Sequence, residues 1–180
     1  MKKIIFVLLL ICSGHLYASH IAFKGIALGQ HYSIIGEALI NDGFELAYDG
    51  ENPLDNNKIR QNYWHGDYWE FKDVCITIDS NLNGIVLSAN VWGMTATPGQ
   101  LSLLVSNLDK KYGKHITTNK VKTSNHNALK YIWRTKNGNV EVTRWGDAKE
   151  NGFWGLIIDY IDAPEVKNRA NEAARKRNDL

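Results

Sequence analysis

One order of predicted elements, a helix followed by three or four strands, occurs twice in this chain and limits its fold more than any other feature. Residues 31–40 place apolar side chains at the spacing of an amphipathic helix, which Gly43 can end. A second helix has clearer boundaries, because Thr97 can cap it, Pro98 suits its first position and Gly113 can end it. Each helix pattern is followed by several short strand patterns.

The strand patterns are recognised by alternation and by turn residues. Val74, Ile76 and Ile78 alternate with smaller or polar residues, as in a half-buried strand, and Asn137-Gly138 is typical of a tight hairpin. Further strands are expected at Ile85–Trp92, His115–Lys122, Ala128–Arg134, Val140–Trp145 and Phe153–Ile161. We therefore expect an α+β fold, in which an antiparallel sheet has helices packed on one face. The predicted pseudo-repeats span residues 21–93 and 94–163, and a C-terminal helix follows them.

The N-terminus has the pattern of a cleavable export signal. Lys2 and Lys3 precede the apolar run Ile4–Ile11, which is too short to span a bilayer as a stable anchor, and Ala18 offers a peptidase site. Lipidation at Cys12 is an alternative, although a bulky residue precedes this cysteine. The signal peptide is thus predicted at residues 1–18, and the mature protein is expected to be soluble and either periplasmic or secreted.

Removal of residues 1–18 changes both the charge and the cysteine content. The full chain has 21 basic and 19 acidic residues, so loss of Lys2 and Lys3 leaves 19 of each. A balanced charge argues against nucleic-acid binding, which depends on a strong positive field. Cys75 is the one cysteine that remains, so no intramolecular disulfide can form and hydrophobic burial must stabilise a single domain at residues 19–163.

The C-terminal segment, residues 164–180, is predicted to be a basic helix or tail. Asp162 can cap this helix and Pro164 falls in its first turn, but beyond Val166 few apolar residues remain to be buried. The simplest interpretation is a solvated terminus. The alternative is an arm that docks on an acidic partner or on anionic lipid.

Two short motifs resemble known exported proteins. Gly25–Gly29 resembles the "G-I-x-L-G" entry of small exported proteobacterial proteins, and Leu108–Gly113 resembles their "L-x-x-K-Y-G" helix ending. The helix-then-sheet order is also similar to the repeats of the BamE-like and β-lactamase-inhibitor-protein-like folds. This resemblance implies an envelope-accessory or inhibitory protein that binds another protein. It transfers no functional residue to this chain.

The sequence contains few patterns that indicate catalysis or metal binding. The chain lacks the nucleophile elbow, the P-loop, the dinucleotide-binding motif and the paired-histidine zinc motif. Cys75 is a conceivable nucleophile, but its place in a predicted strand favours burial. His20 lies next to the predicted mature N-terminus, where an amine and an imidazole can chelate copper. We predict no catalytic residue, no metal site and no cofactor.

The segment Tyr63–Phe71 is the strongest candidate for binding. It combines five aromatic residues, a histidine and two carboxylates around a turn predicted at Gly66-Asp67. Aromatic side chains bind partners and sugars but also fill cores, and Asp67 with Glu70 is a conceivable glycosidase pair. The predicted binding residues are Tyr63, Trp64, His65, Tyr68 and Trp69. We expect a non-catalytic protein that binds a protein of the cell envelope as an inhibitor, immunity or accessory protein. The alternative is a glycan-binding protein or an envelope hydrolase.

Overall fold

The computed structural model describes residues 20–51, 59–123, 126–146 and 152–178, so the predicted signal peptide and the connector at Asn52–Asn57 lie outside the described residues. The described residues form three helices, α1 (Tyr32–Asn41), α2 (Pro98–Tyr112) and α3 (Ala163–Asn178). The strands are β1 (Ala22–Phe23), β2 (Ile26–Ala27), β3 (Glu45–Glu51), β4 (Arg60–Tyr68), β5 (Phe71–Ser80), β6 (Val86–Ala96), β7 (Ile116–Thr123), β8 (His126–Thr135), β9 (Gly138–Trp145) and β10 (Trp154–Asp162).

Eight of these strands form one antiparallel sheet in the order β3-β4-β5-β6-β10-β9-β8-β7. The last strands of the two predicted repeats, β6 and β10, lie side by side at the centre, with Val91 opposite Ile158. Each half is a helix followed by a four-stranded meander, so the strand order reads the same outward from the centre. The predicted α+β class is confirmed, whereas the evolutionary duplication stays a prediction. β1 and β2 form a separate two-stranded sheet.

Helices α1 and α2 pack on the same face of the eight-stranded sheet, as predicted, and enclose the hydrophobic core. The ring of Trp64 on β4 lies against Gly36 of α1, and that of Trp133 on β8 donates from Nε1 to Asp109 of α2 at 2.8 Å. Strand residues at alternate positions, such as Ile76, contribute to this core from every central strand. Each half therefore buries a tryptophan from its second strand under its own helix.

The boundaries of α2 confirm the sequence signals that predicted them. Thr97 caps the helix through a capping box with Gln100, Pro98 is its first residue and Gly113 ends it with a φ of 86°. The predicted hairpin at Asn137-Gly138 is also present, with Gly138 at a φ of 139°. A side chain there would meet the carbonyl oxygen of Ile161, which explains why glycine is needed.

Three local predictions differ from the structure. Strand β3 was not predicted, because Glu45–Glu51 alternates weakly and contains a glycine. The hairpin between β4 and β5 turns at Trp69-Glu70 and not at Gly66-Asp67, since both of those residues remain in β4. Asp162 does not act as a free helix cap. Its carboxylate accepts from the backbone N–H of Ile21 and from the ring of His20, which joins the N-terminal segment to the end of β10.

Helix α3 lies across the other face of the sheet. Arg169 donates to the hydroxyl of Ser88 on β6 at 3.2 Å, and its guanidinium also pairs with Glu165 within the helix. From Lys167 to Arg175 the residues of α3 are exposed, in agreement with the predicted lack of apolar contacts. Among the residues that the structure describes, no helix is long and apolar enough to cross a membrane.

Candidate functional site

The sheet face opposite α1 and α2, here called the open face, is covered in part by α3. On β5, Val74, Ile76 and Ile78 belong to the core, so Cys75, Thr77 and Asp79 lie on the open face. The strand register extends this face across the sheet, because opposed residues of antiparallel strands share one side. The open face therefore consists of the strand residues that alternate with those of the core.

Aromatic side chains gather on the β3–β6 half of the open face. Tyr48 is opposite Tyr63, with ring centroids 5.5 Å apart, and Tyr63 is opposite Thr77. Two residues further along β4, His65 is opposite Cys75, and Cys75 is opposite Trp92 on β6. We call the four residues Tyr48, Tyr63, His65 and Trp92 the aromatic surface.

Trp92 has the most informative environment of the four. It lies on β6, a central strand, yet 40% of the residue is exposed. Its Nε1 donates to the hydroxyl of Thr77 at 2.8 Å, which holds the ring in place over the sheet. A large exposed ring that is already oriented loses little conformational freedom on binding, as is typical of interface anchors.

Cys75 lies beneath the aromatic surface and is 4% exposed. Burial raises the pKa of its thiol above the ordinary value, because the thiolate is desolvated there. A buried thiol with a raised pKa is a poor nucleophile. The predicted burial of Cys75 is therefore confirmed.

The five predicted binding residues do not lie together. Tyr63 and His65 belong to the aromatic surface, whereas Trp64 alternates with them and is buried in the core at 5% exposure. Tyr68 packs beside Phe23, and its hydroxyl lies 3.0 Å from that of Tyr160. Trp64 is therefore not part of the aromatic surface, because a strand sends successive side chains to opposite faces.

Trp69 lies at the tip of the β4–β5 hairpin, apart from the aromatic surface. It is exposed and has a φ of 57°, with its ring edge-on to Phe71 at 5.8 Å. Nearby, Asp67 accepts from Lys72 at 2.6 Å and from the backbone N–H of Asp73. These bonds lower the pKa of Asp67, which is the opposite of what a glycosidase acid requires. The geometry gives no support to a catalytic pair of Asp67 and Glu70.

Sequence reasoning missed Tyr48 and Trp92. The signal for Trp92 was present, because Ala89 and Val91 reach the core and the alternation then puts Trp92 on the other face. Tyr48 could not be identified in this way, since β3 itself was not predicted. The aromatic surface thus combines two predicted residues with two that only the strand register brings to them.

A polar network occupies the open face beside the aromatic surface. Asp79 is nearly buried and accepts from Gln61, Ser88 and Asn90 at 2.7–3.1 Å. Three donors satisfy this carboxylate without an adjacent cation. Asp79 therefore fixes the positions of its neighbours more than it offers a binding group.

Asp159 on β10 is opposite both Asn90 and Glu141 and is half-buried. Burial raises its pKa to about 6, with Glu141 and Asp79 acting in the same direction and Lys130 and Arg169 opposing them. Lys130 is itself paired with Glu141 at 2.6 Å. Among the described residues, none donates a hydrogen bond to the Asp159 carboxylate.

A cleft of about 620 Å³ separates the outer part of α3 from the sheet. Its sheet side includes Gln61, Asp79 and Leu87, and its helix side includes Arg169 and Arg175. Amides and charges of both signs line it, so it suits water or a polar ligand better than an apolar one.

The copper-binding hypothesis for His20 depends on the amine of Ser19, which lies outside the described residues. The ring Nδ1 of His20 lies 2.7 Å from a carboxylate oxygen of Asp162. Within the described ranges, no group of three histidine, cysteine, aspartate or glutamate residues is arranged to hold a metal ion. His20 thus contributes to the attachment of the N-terminal segment.

Comparison of the chain with protein-family models, with curated proteins and with solved structures gives no match.

Proposed function

We propose that this protein binds a protein partner through the aromatic surface and performs no catalysis. The observation that supports this most strongly is the exposed, hydrogen-bonded ring of Trp92 on a central strand. The core already contains Trp64 and Trp133 under the helices, and Trp92 is not part of it. The exposed ring of Trp92 is therefore not explained by packing of the core. Tryptophan and tyrosine are enriched among residues that carry binding energy at protein interfaces.

The place of action follows from the sequence and belongs to the same proposal. The export signal predicted at residues 1–18 directs the protein out of the cytoplasm, and the partner is then a protein of the cell envelope. An inhibitor, an immunity protein or an envelope-accessory protein all fit this description. The β-sheet presents the aromatic surface as a rigid platform, which favours recognition of a folded partner over a flexible one.

The polar cleft beside α3 favours a second candidate function, glycan binding. Aromatic rings stack on sugars, and the amide side chain of Gln61 together with Arg169 and Arg175 provides hydrogen-bond donors. The aromatic surface and the cleft meet at Gln61, which accepts from the hydroxyl of Tyr63 at 2.7 Å. Oligosaccharides of the envelope are the ligands to test for this candidate.

The test compares the loss of an exposed tryptophan on the open face with the loss of an exposed leucine on the opposite face. The purified domain, Trp92→Ala and Leu103→Ala are immobilised and exposed to envelope extract, because Leu103 is an exposed residue of α2 on the opposite face. We expect a retained protein band with the parent and with Leu103→Ala, but not with Trp92→Ala. Equal retention of the protein band by Trp92→Ala would contradict binding through the aromatic surface.

A parallel titration separates the two candidate functions. Peptidoglycan fragments and oligosaccharides are added to the domain while its amide resonances are followed by NMR. Shifts confined to Gln61 and the residues of the cleft would favour the glycan candidate. A protein partner retained without any glycan-induced shift would favour the leading proposal.

A further inference from the structure

Charged groups of both signs lie near Asp159 on the open face. Asp79 and Glu141 repel its carboxylate, whereas Lys130 and Arg169 attract it. Both of these cations are already paired, Lys130 with Glu141 and Arg169 with Glu165. Asp79 and Asp159 therefore form no ion pair with them, and Asp79 is satisfied by neutral donors.

Asp159 is partly exposed, and among the described residues none donates a hydrogen bond to its carboxylate, so the carboxylate is open to a partner. It lies diagonally across the β6–β10 pair from Trp92, because Asn90 is its direct partner and Trp92 is two residues further along β6. Diagonal neighbours on one sheet face are about 7–8 Å apart. A guanidinium group is long and flat enough to stack on an indole ring and pair with a carboxylate at that separation.

We propose that the open face binds a partner that presents an arginine side chain, which stacks on Trp92 and pairs with Asp159. The inference rests on the proposed function and specifies the chemistry of the partner. Charge complementarity selects the occupant, since an apolar segment would leave the Asp159 carboxylate desolvated and unpaired. Tyr48 and Tyr63 extend the surface along which the partner lies.

The charged groups that face Asp159 define how pH affects this interaction. They are Lys130 on β8, Glu141 on β9, Arg169 on α3 and Asp79 on β5. Because Asp159 is protonated below about pH 6, binding of an arginine becomes weaker as the pH falls through that value. The Asp159→Asn variant isolates the contribution of Asp159 from those of the other groups.

The experiment uses a defined probe in isothermal titration calorimetry. The probe is a capped peptide of alternating arginine and glycine, and its matched control replaces every arginine by neutral citrulline. The proteins are the parent domain, Trp92→Ala, Asp159→Asn and Glu37→Gln. Glu37 is exposed on α1, on the opposite face, so Glu37→Gln removes the same charge away from the proposed site.

We expect the arginine peptide to bind the parent and Glu37→Gln equally and Asp159→Asn about tenfold more weakly, with the pH dependence near 6 lost. Trp92→Ala should also weaken binding. Equal binding of the citrulline peptide, or an Asp159→Asn variant that binds like the parent, would overturn the inference while leaving the aromatic surface as a binding site. Absence of binding by either peptide would overturn it as well.

A second copy of this chain is the alternative occupant, because the end of α3 contains arginine and lysine residues of its own. Sedimentation velocity of the parent domain and of a variant truncated after Ala174 tests this. Self-association that the truncation abolishes would show that the face accepts another copy, and would contradict the proposed partner.

Discussion

At the scale of single residues, Asp159 on the open face affects the stability of the fold through its pKa. Its raised pKa means that the folded protein holds a proton more tightly than the unfolded chain does. The sign of its effect on stability follows from this difference. Asp159 makes the fold less stable as the pH rises from about 4 to about 6, and the penalty persists at higher pH.

Replacement of Asp159 by asparagine is therefore expected to stabilise the protein near neutral pH. The gain should be on the order of 1 kcal/mol at about pH 8 and nearly vanish at about pH 3, where the aspartate is mostly protonated in both states. Urea unfolding of the parent and of Asp159→Asn at both pH values provides the measurement. A variant that is less stable than the parent at pH 8 would show that the carboxylate makes contacts that the structure does not contain.

Cys75 provides a second test at this scale. Because it is buried and its pKa is raised, the thiol should react with a thiol reagent such as DTNB slowly in the folded protein and rapidly in urea. The rate in the folded state should then follow the rate of unfolding. Rapid labelling of the native protein without loss of its circular dichroism signal would contradict this account.

At the level of helices and strands, the sequence signals that succeeded were those with a local cause. The start of α2 was predictable because capping depends on residues three positions apart, and the β8–β9 hairpin because Asn-Gly suits one turn type. Strand β3 was not predictable, since its pairing with β4 is a tertiary interaction and its residues alternate weakly. The binding residues could be predicted only in part for a related reason, because packing under α1 decides which face of β4 is buried, and Trp64 lies on that face.

The cap of α2 gives a prediction at this scale. Thr97→Ala removes the hydroxyl that accepts from the backbone N–H of Gln100 and should lower the free energy of unfolding by about 1 kcal/mol. Ser106→Ala, at an exposed position within the same helix, is the matched control and should change stability little. Chemical denaturation compares the two variants, and equal effects would indicate that the capping box contributes no stability.

The whole molecule is joined through its centre. Because β6 and β10 pair along their length and the core runs beneath both halves, we expect the two halves to unfold together, although each repeats the same topology. Ile158→Ala, at the central pair, should remove about 2–5 kcal/mol and lower the stability of both halves equally. Hydrogen exchange resolves this residue by residue. Retained protection in either half, while the other exchanges freely, would contradict a single cooperative unit.

The central claim concerns the surface that this assembly leaves open, and site-specific photo-crosslinking addresses it most directly. A photoreactive amino acid is placed at position 45 in one variant and at position 103 in another, and each is irradiated in envelope extract. Glu45 is exposed and lies opposite His65, so the probe borders the aromatic surface and leaves its four residues intact. We predict that position 45 yields a discrete crosslinked protein and that position 103 yields none. A crosslink from position 103 without one from position 45 would show that the partner binds the helical face and would contradict the proposed function.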